Sequence, residues 1–267
     1  MTITSSASEE GWSKDKIQDP TYSDKFKKLP EIINSWVKGY FPLSGKRILD
    51  FGCGEGTTAL GIALQFSPLA AIGIDINNEY LQCPTLAQRE IRLSNLPQNL
   101  SFQQIESGQV GSFNSKFDLI YSWSVFEHIN RRLIKQIVTS LRESIKQTGL
   151  LFIQIAPLYY SSDGGHLGEF GIPPWGHLLE QEDNIQSIIF SNGVKALELR
   201  QSVWSCYQSL NKITADELIE CVQEGGFKLV REYRTRDDHI PPERLLSIFH
   251  LDILTTNQIV ALFKPDN

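Results

Sequence analysis

Between residues 47 and 155, short apolar runs alternate with stretches of helical periodicity, and this rhythm constrains the fold more than any other feature. Ile48-Leu49-Asp50-Phe51 reads as a short buried strand, residues 57–66 as a helix and 70–75 as the next strand. Residues 100–105 and 117–122 supply a third and a fourth. Leu133, Ile134, Ile137, Val138, Leu141 and Ile145 recur at helical spacing, and Gly149 stops that helix before an apolar fifth strand over 150–155. Two further strands, over 227–233 and 258–263, bring the expected total to seven. Strands alternating with helices predict an α/β fold, a doubly wound and mostly parallel sheet with helices on both faces.

Composition narrows the partners. A net charge of −6 gives no basic footprint for a nucleic-acid backbone. No apolar run approaches the ~20 residues of a membrane span, and the first ten residues lack the basic start and apolar core of a secretory signal. Cys53, Cys83, Cys206 and Cys221 are scattered without a CxxC pair, which suits reduced thiols better than disulfides or zinc. The expectation is a cytoplasmic protein with neither a nucleic acid nor a membrane as partner.

Asp50-Phe51-Gly52-Cys53-Gly54-Glu55-Gly56 follows the first strand. Glycines there permit positive φ and let a ligand approach the main chain. The turn lies at a strand's carboxyl end, where open α/β sheets bind ligands. Asp75 ends the next strand, placed to accept hydrogen bonds from both ribose hydroxyls of an adenosine group. The spacing is GxGxG; Thr57 stands where the dinucleotide pattern GxGxxG needs its third glycine. The acidic Asp50 suits a cationic sulfonium ligand better than a pyrophosphate.

The segment from Arg47 to Gly56 resembles the first motif of class I S-adenosylmethionine-dependent methyltransferases, and Ile72-Gly73-Ile74-Asp75-Ile76 resembles the second. Phe117-Asp118-Leu119-Ile120-Tyr121-Ser122-Trp123-Ser124-Val125-Phe126-Glu127-His128-Ile129 is similar to their fourth-strand motif. The likeness covers roughly residues 40–157 and is of the small-molecule, methyltransferase type 11/12-like kind. It implies a Rossmann-like fold and S-adenosyl-L-methionine as cofactor, with S-adenosyl-L-homocysteine as product. It also implies that Gly52, Cys53 and Gly54 line the methionine portion beside Asp50, that Asp75 holds the ribose, and that Ile76 packs on the adenine. Ser122 and Trp123 would close the pocket. Glu106 would meet the adenine amino group, in a Gln104-Ile105-Glu106-Ser107 context that departs from the family's pattern. Asp118 reads as structural, and Cys53 as a packed residue rather than a nucleophile.

The strand–helix rhythm breaks after Pro157 and resumes at Thr214, which pairs with Glu217 as a capping box ahead of a helix ending near Gly225. Residues 157–212 are too long for a plain connection and read as an inserted cap between the fifth strand and the last helix. The expected organisation is then 1–40, an N-terminal arm and helical segment over the active site; 41–156, the cofactor-binding core; 157–212, a substrate-binding insertion; and 213–267, the helix and strands that complete the sheet. Residues 1 to about 20 read as a loosely held arm. Phe26, Leu29, Ile32, Ile33 and Trp36 keep helical spacing, with Pro30 leaving one helix or two. Pro84 predicts a kinked or delayed helix. Residues 178–210 read as a lid or a dimer surface, and Pro241-Pro242 opens a helix expected on the sheet edge.

Methyl transfer needs an aligned acceptor, excluded water and, for some acceptors, a base. Ala156-Pro157-Leu158-Tyr159-Tyr160-Ser161-Ser162-Asp163-Gly164-Gly165-His166 and Ile172-Pro173-Pro174-Trp175-Gly176-His177 resemble a stretch of methyltransferases from glycan and natural-product pathways. His166 or His177 is the expected general base, with His128 a further candidate, and Tyr159, Tyr160 and Trp175 are expected to shape the acceptor pocket. The structural alternative has these histidines hydrogen-bonding backbone in a folded loop. Their spacing with Glu169 matches no helical ligand pair such as HExxH, so no metal is expected. The expected activity is methylation of a small-molecule acceptor, preferably at oxygen, by a monomer or homodimer. The rivals are modification of RNA or protein, cofactor binding without turnover, and a dehydrogenase. Ser122-Trp123-Ser124-Val125 stands where an Asn/Asp-Pro-Pro-Tyr/Phe motif would mark methylation of base amino groups.

Overall fold

The computed structural model describes Ser13 and residues 16–266. Most of the expected N-terminal arm therefore lies outside the described residues. Seven strands, β1 (Arg47–Phe51), β2 (Ala70–Asp75), β3 (Leu100–Gln104), β4 (Phe117–Trp123), β5 (Ile145–Ile155), β6 (Phe227–Arg236) and β7 (Thr256–Pro265), form one sheet in the order β3-β2-β1-β4-β5-β7-β6. β1–β2, β2–β3 and β4–β5 pair in parallel, whereas β7 runs antiparallel to both β5 and β6. This is the doubly wound, mostly parallel α/β fold read from the rhythm. The chain divides into two compact units, the first ending at Ile105 and the second beginning at Glu106. That boundary falls after β3, at none of the limits expected from the sequence.

In the first unit, Ile48 and Leu49 of β1 are both buried although they point to opposite faces, as a strand covered on two sides requires. The helix Thr57–Phe66 follows Gly56 directly and buries Ala59, Leu60, Ile62 and Ala63. The one-or-two-helix question at Pro30 resolves as a run of three joined pieces, Pro20–Ser23, a π-helical turn Asp24–Lys28, and Leu29–Val37. Pro30 follows the π-helical turn within this continuous run, and the Phe26 carbonyl four residues before it accepts instead from Gln65 Nε2 at 2.6 Å. Pro84 likewise delays its helix: a 3₁₀ turn, Glu79–Gln82, precedes the helix Cys83–Ile91.

In the second unit, the helix Arg131–Ser144 buries Ile134, Ile137, Val138 and Leu141 and leads straight into β5 at Ile145. β5 thus starts before the expected Leu150, and its register with β4 shifts between Phe117 and Leu119. Thr214 and Glu217 make both bonds of the capping box at the helix Ala215–Glu224. The insertion holds the helices Gly176–Leu179, Glu182–Ser191 and Leu197–Ser209. It has a small core of its own, in which Leu167, Phe170 and Ile172 pack with Ile185 and Ile189. Leu245, in the helix Glu243–Leu246, packs with Trp175 and Leu254 and ties that helix to the insertion. Among the described residues, no helix is long and apolar enough to cross a membrane.

Candidate functional site

The first unit offers a site made largely of backbone. Gly52 and Cys53 donate their N–H groups to the Ile74 carbonyl (2.8 and 3.0 Å), which pins the turn after β1 to β2. Gly54 N–H donates to Asp75 Oδ2 at 2.9 Å, and Asn77 N–H donates to Oδ1 at 2.9 Å. Both carboxylate oxygens are thereby oriented, and each keeps lone-pair capacity for a further donor. Gly54 has φ +51°, and a Cβ there would meet nothing nearer than Glu79 Oε2 at 4.0 Å, so the main chain stands open to a ligand. Gly56 is constrained oppositely: at φ +76° a Cβ would lie 2.4 Å from the Phe102 ring. Ile76, directly after Asp75, is 52% exposed and presents an apolar surface. Asp50 is buried. The Cys53 thiol packs over Gly73, where a Cβ would come within 2.9 Å of Sγ. Burial, then Asp50 and Asp75, push that thiol's pKa upward, so it stays protonated. An open glycine backbone, an oriented ribose-type acceptor and an exposed apolar shelf fit an adenosyl ligand.

The second unit builds its polar cluster from side chains. The short helix Phe126–His128 follows β4, and the segment after β5 carries Tyr159, Tyr160 and His166. His128 and His166 come together there, with ring centroids 6.0 Å apart. His128 Nδ1 lies 2.7 Å from Ser209 Oγ. Burial, and secondarily His166, lower the His128 pKa to about 4. His166 sits at φ +57°, its Nε2 is buried with no hydrogen-bond partner among the described residues, and burial lowers its pKa as well. Both rings are neutral at pH 7.

His177, 5% exposed, donates from Nε2 to the Tyr159 carbonyl at 2.5 Å and is pushed down to about 4 by burial. It therefore adopts the backbone-bonding role that the structural alternative described. Trp175 does not meet its expected place in a pocket wall. It is 2% exposed, and Nε1 donates to the carbonyls of Tyr160 (3.0 Å) and Leu254 (3.2 Å), so its ring is core. Tyr159 is buried, meets the His177 ring edge-on with centroids 5.1 Å apart and is capped by Lys212 Nζ, 5.0 Å from its ring centre. Tyr160 is half-buried against Tyr159 and Phe249.

Of the remaining expected residues, Trp123 stacks on Phe152 with centroids 6.0 Å apart, and Ser122 is fully buried. Glu106 is exposed and accepts from Gln109 Nε2 at 2.9 Å. Asp118 pairs with Lys146 Nζ at 2.8 Å, a bracing contact. Glu169 pairs with Lys195 at 3.0 Å.

Glu127, Ser209 and Lys212 were not singled out from the sequence. Glu127 is 3% exposed, neither carboxyl oxygen has a hydrogen-bond partner among the described residues, and burial raises its pKa to about 8. It is thus a neutral acid at pH 7. Its position beside His128 in the fourth-strand motif was the available signal; Ser209 and Lys212, on the far side of the insertion, carried none.

Comparison with known proteins identifies the family and the fold. A methyltransferase domain family model matches residues 26–232, more than half of the chain. A mitochondrial ubiquinone biosynthesis O-methyltransferase of Dictyostelium discoideum is 25% identical over 180 residues, 62% of this chain and 55% of that protein. The chain thus spans about half the length of such curated relatives. Among solved structures, a S-adenosylmethionine-dependent methyltransferase from Clostridium acetobutylicum superposes with a TM-score of 0.55 at 13% identity, covering 91% of this chain and 92% of that one. Magnesium protoporphyrin IX methyltransferase from Synechocystis, solved with bound SAH, gives a TM-score of 0.53 at 12% identity, with coverage of 93% and 89%. At these identities the structural likenesses speak for the fold, and the family match speaks for the lineage. The chain belongs to the methyltransferase domain family and has the class I, Rossmann-like fold of S-adenosylmethionine-dependent methyltransferases.

Proposed function

We propose that this protein is a cytoplasmic S-adenosylmethionine-dependent methyltransferase acting on a hydroxyl of a small molecule, of the natural-product or glycan-related kind. The observation that carries the reading is the neutral pair His128 and His166, 6.0 Å apart beyond the carboxyl ends of β4 and β5. A hydroxyl is a poor nucleophile until a base takes its proton, and a positioned imidazole is the side chain most often used for this. The relative described as an O-methyltransferase supports oxygen as the acceptor atom.

In this reading Asp75 accepts the ribose hydroxyls, Ile76 supports the adenine, and Gly52, Cys53 and Gly54, with Asp50 beside them, receive the methionine portion. The bound cofactor supplies an electrophilic methyl group whose sulfur departs with the C–S electron pair. His128 or His166 takes the acceptor's proton, leaving the electron pair on the oxygen that is methylated. Tyr159 and Tyr160 shape the acceptor pocket, and the buried setting excludes water. His177, whose Nε2–H is committed to the Tyr159 carbonyl, holds the segment that carries Tyr159.

The test is to incubate the protein with methyl-labelled S-adenosylmethionine and cell extract, then count label in small-molecule and macromolecular fractions. Label in the small-molecule fraction, lost in His128→Ala, is the expected result. Label confined to RNA or protein would overturn the acceptor class, and failure to bind the cofactor would overturn the whole reading.

A further inference from the structure

His128 is held by a residue from a distant part of the chain. Ser209 ends the helix Leu197–Ser209, and its Oγ lies 2.7 Å from the Cys206 carbonyl oxygen as well as 2.7 Å from His128 Nδ1. A serine hydroxyl has a single proton. A carbonyl oxygen can only accept, so at 2.7 Å the hydroxyl proton must lie between Oγ and the Cys206 oxygen; two lone pairs at that distance would repel. The remaining contact is then satisfied only if Nδ1 carries the ring proton and donates it to Oγ. We propose that Ser209, relayed to the Cys206 carbonyl, is a positioning residue that locks His128 as the Nδ1–H tautomer and leaves the Nε2 lone pair free as the proton acceptor.

The same segment holds the neighbouring backbone. Asn211 Nδ2 donates to the carbonyls of Phe126 (2.6 Å) and Ile129 (2.7 Å), and Asn211 N–H donates to the Glu127 carbonyl at 2.8 Å. The turn bearing His128 is thus clamped by residues 209–211 through both side chain and main chain. The ionisable groups around it are His166, Glu127 and Cys206. His166 and Glu127 are neutral at pH 7 for the reasons given above, and burial raises the Cys206 thiol. Among the described residues, then, no neighbouring anion competes with Ser209 to orient the imidazole. A neutral imidazole whose Nδ1–H is held by an acceptor presents Nε2 as a base, the logic by which a partner on one ring nitrogen fixes the role of the other.

The inference rests on the proposed function with His128, rather than His166, as the base, but its test reads the tautomer directly. With ¹⁵N-histidine-labelled protein at pH 7, His128 is expected to show a protonated Nδ1 and an unprotonated Nε2. Ser209→Ala should convert it to a mixture of tautomers and lower kcat about tenfold, the size of one neutral hydrogen bond, with cofactor affinity unchanged. Ser209→Thr should restore both readouts. Ser209 is exposed, so neither change threatens the fold. An Nε2–H tautomer in the unmodified protein, or a tautomer unaltered in Ser209→Ala, would overturn the inference. Full turnover in His128→Ala with the tautomer as expected would instead overturn the base role alone.

Discussion

The turn after β1 and the cluster beyond β4 and β5 are built on opposite principles. In the first, glycine conformations, main-chain N–H groups and a single carboxylate do the work; Asp75 is oriented by Gly54 and Asn77 before any ligand arrives. In the second, side chains as distant as His128 and Ser209 must be brought together, and the His128 imidazole must be kept neutral by burial. A backbone-built site is local and follows from a short motif. A side-chain-built site depends on how long segments fold back. The first should fail through steric and conformational change, the second through loss of single functional groups with the fold intact.

The sharpest test of that contrast is His128→Ala, expected to lower turnover by about 10²–10⁴ as for a lost general base. Cofactor affinity, measured by calorimetry, should not move; if it fell in parallel, the two regions would not be separable. Gly56→Val should destabilise by roughly 2–4 kcal/mol, combining a left-handed φ with a clash against Phe102, and should weaken cofactor binding too. Thermal unfolding and calorimetry together would check it. Asp75→Ala should weaken the cofactor by about 1.5–3 kcal/mol or roughly ten- to 150-fold, and should also lower the melting temperature because Gly54 and Asn77 lose their acceptor.

Glu127→Gln probes the buried neutral acid. The folded pKa of about 8 lies above the ordinary 4.5, so the folded protein binds the proton more tightly than the unfolded chain. Stability is therefore present at low pH and is lost as pH rises through about 8. The variant should lack this loss, a difference on the order of 2 kcal/mol between the acidic and alkaline ends once relaxation around the charge is allowed for. The buried histidines act in the opposite sense: their depressed pKa values cost stability as pH falls from 6.5 towards 4. Melting curves across pH 4–9 would separate the two. The smallest effect belongs to Thr214→Ala, which removes one capping bond for about 1 kcal/mol and a few degrees of melting temperature, without altering turnover.

Much of this architecture can be read from residues alone. Ile48 and Leu49 announce a strand buried on both faces, the helix after Gly56 begins where expected, and Thr214 with Glu217 marks a helix start, because each signal is local. Pro30 and Pro84 are ambiguous in the sequence because proline is accommodated either in a first turn, as at Pro84, or behind a π-helical turn, as at Pro30, and only the neighbours decide which. β5 starts at Ile145 rather than after Gly149, because a glycine signals a stop only in isolation and here the chain extends beside β4.

The sequence by itself determined the strand order in time, the glycine turn and the carboxylate at Asp75, since backbone conformation and a strand-end position are properties of short windows. Tertiary structure decided which polar groups are functional candidates. Trp175 and His177 look like pocket residues in a list, yet their donors are committed to carbonyls of the chain's own folded segment. Glu127 looks like a surface carboxylate, yet it is buried and neutral. Ser209 looks like any helix-end serine until the fold sets it 2.7 Å from a histidine 81 positions away. Burial and partner identity fix protonation, and neither is a property of a residue's neighbours in sequence.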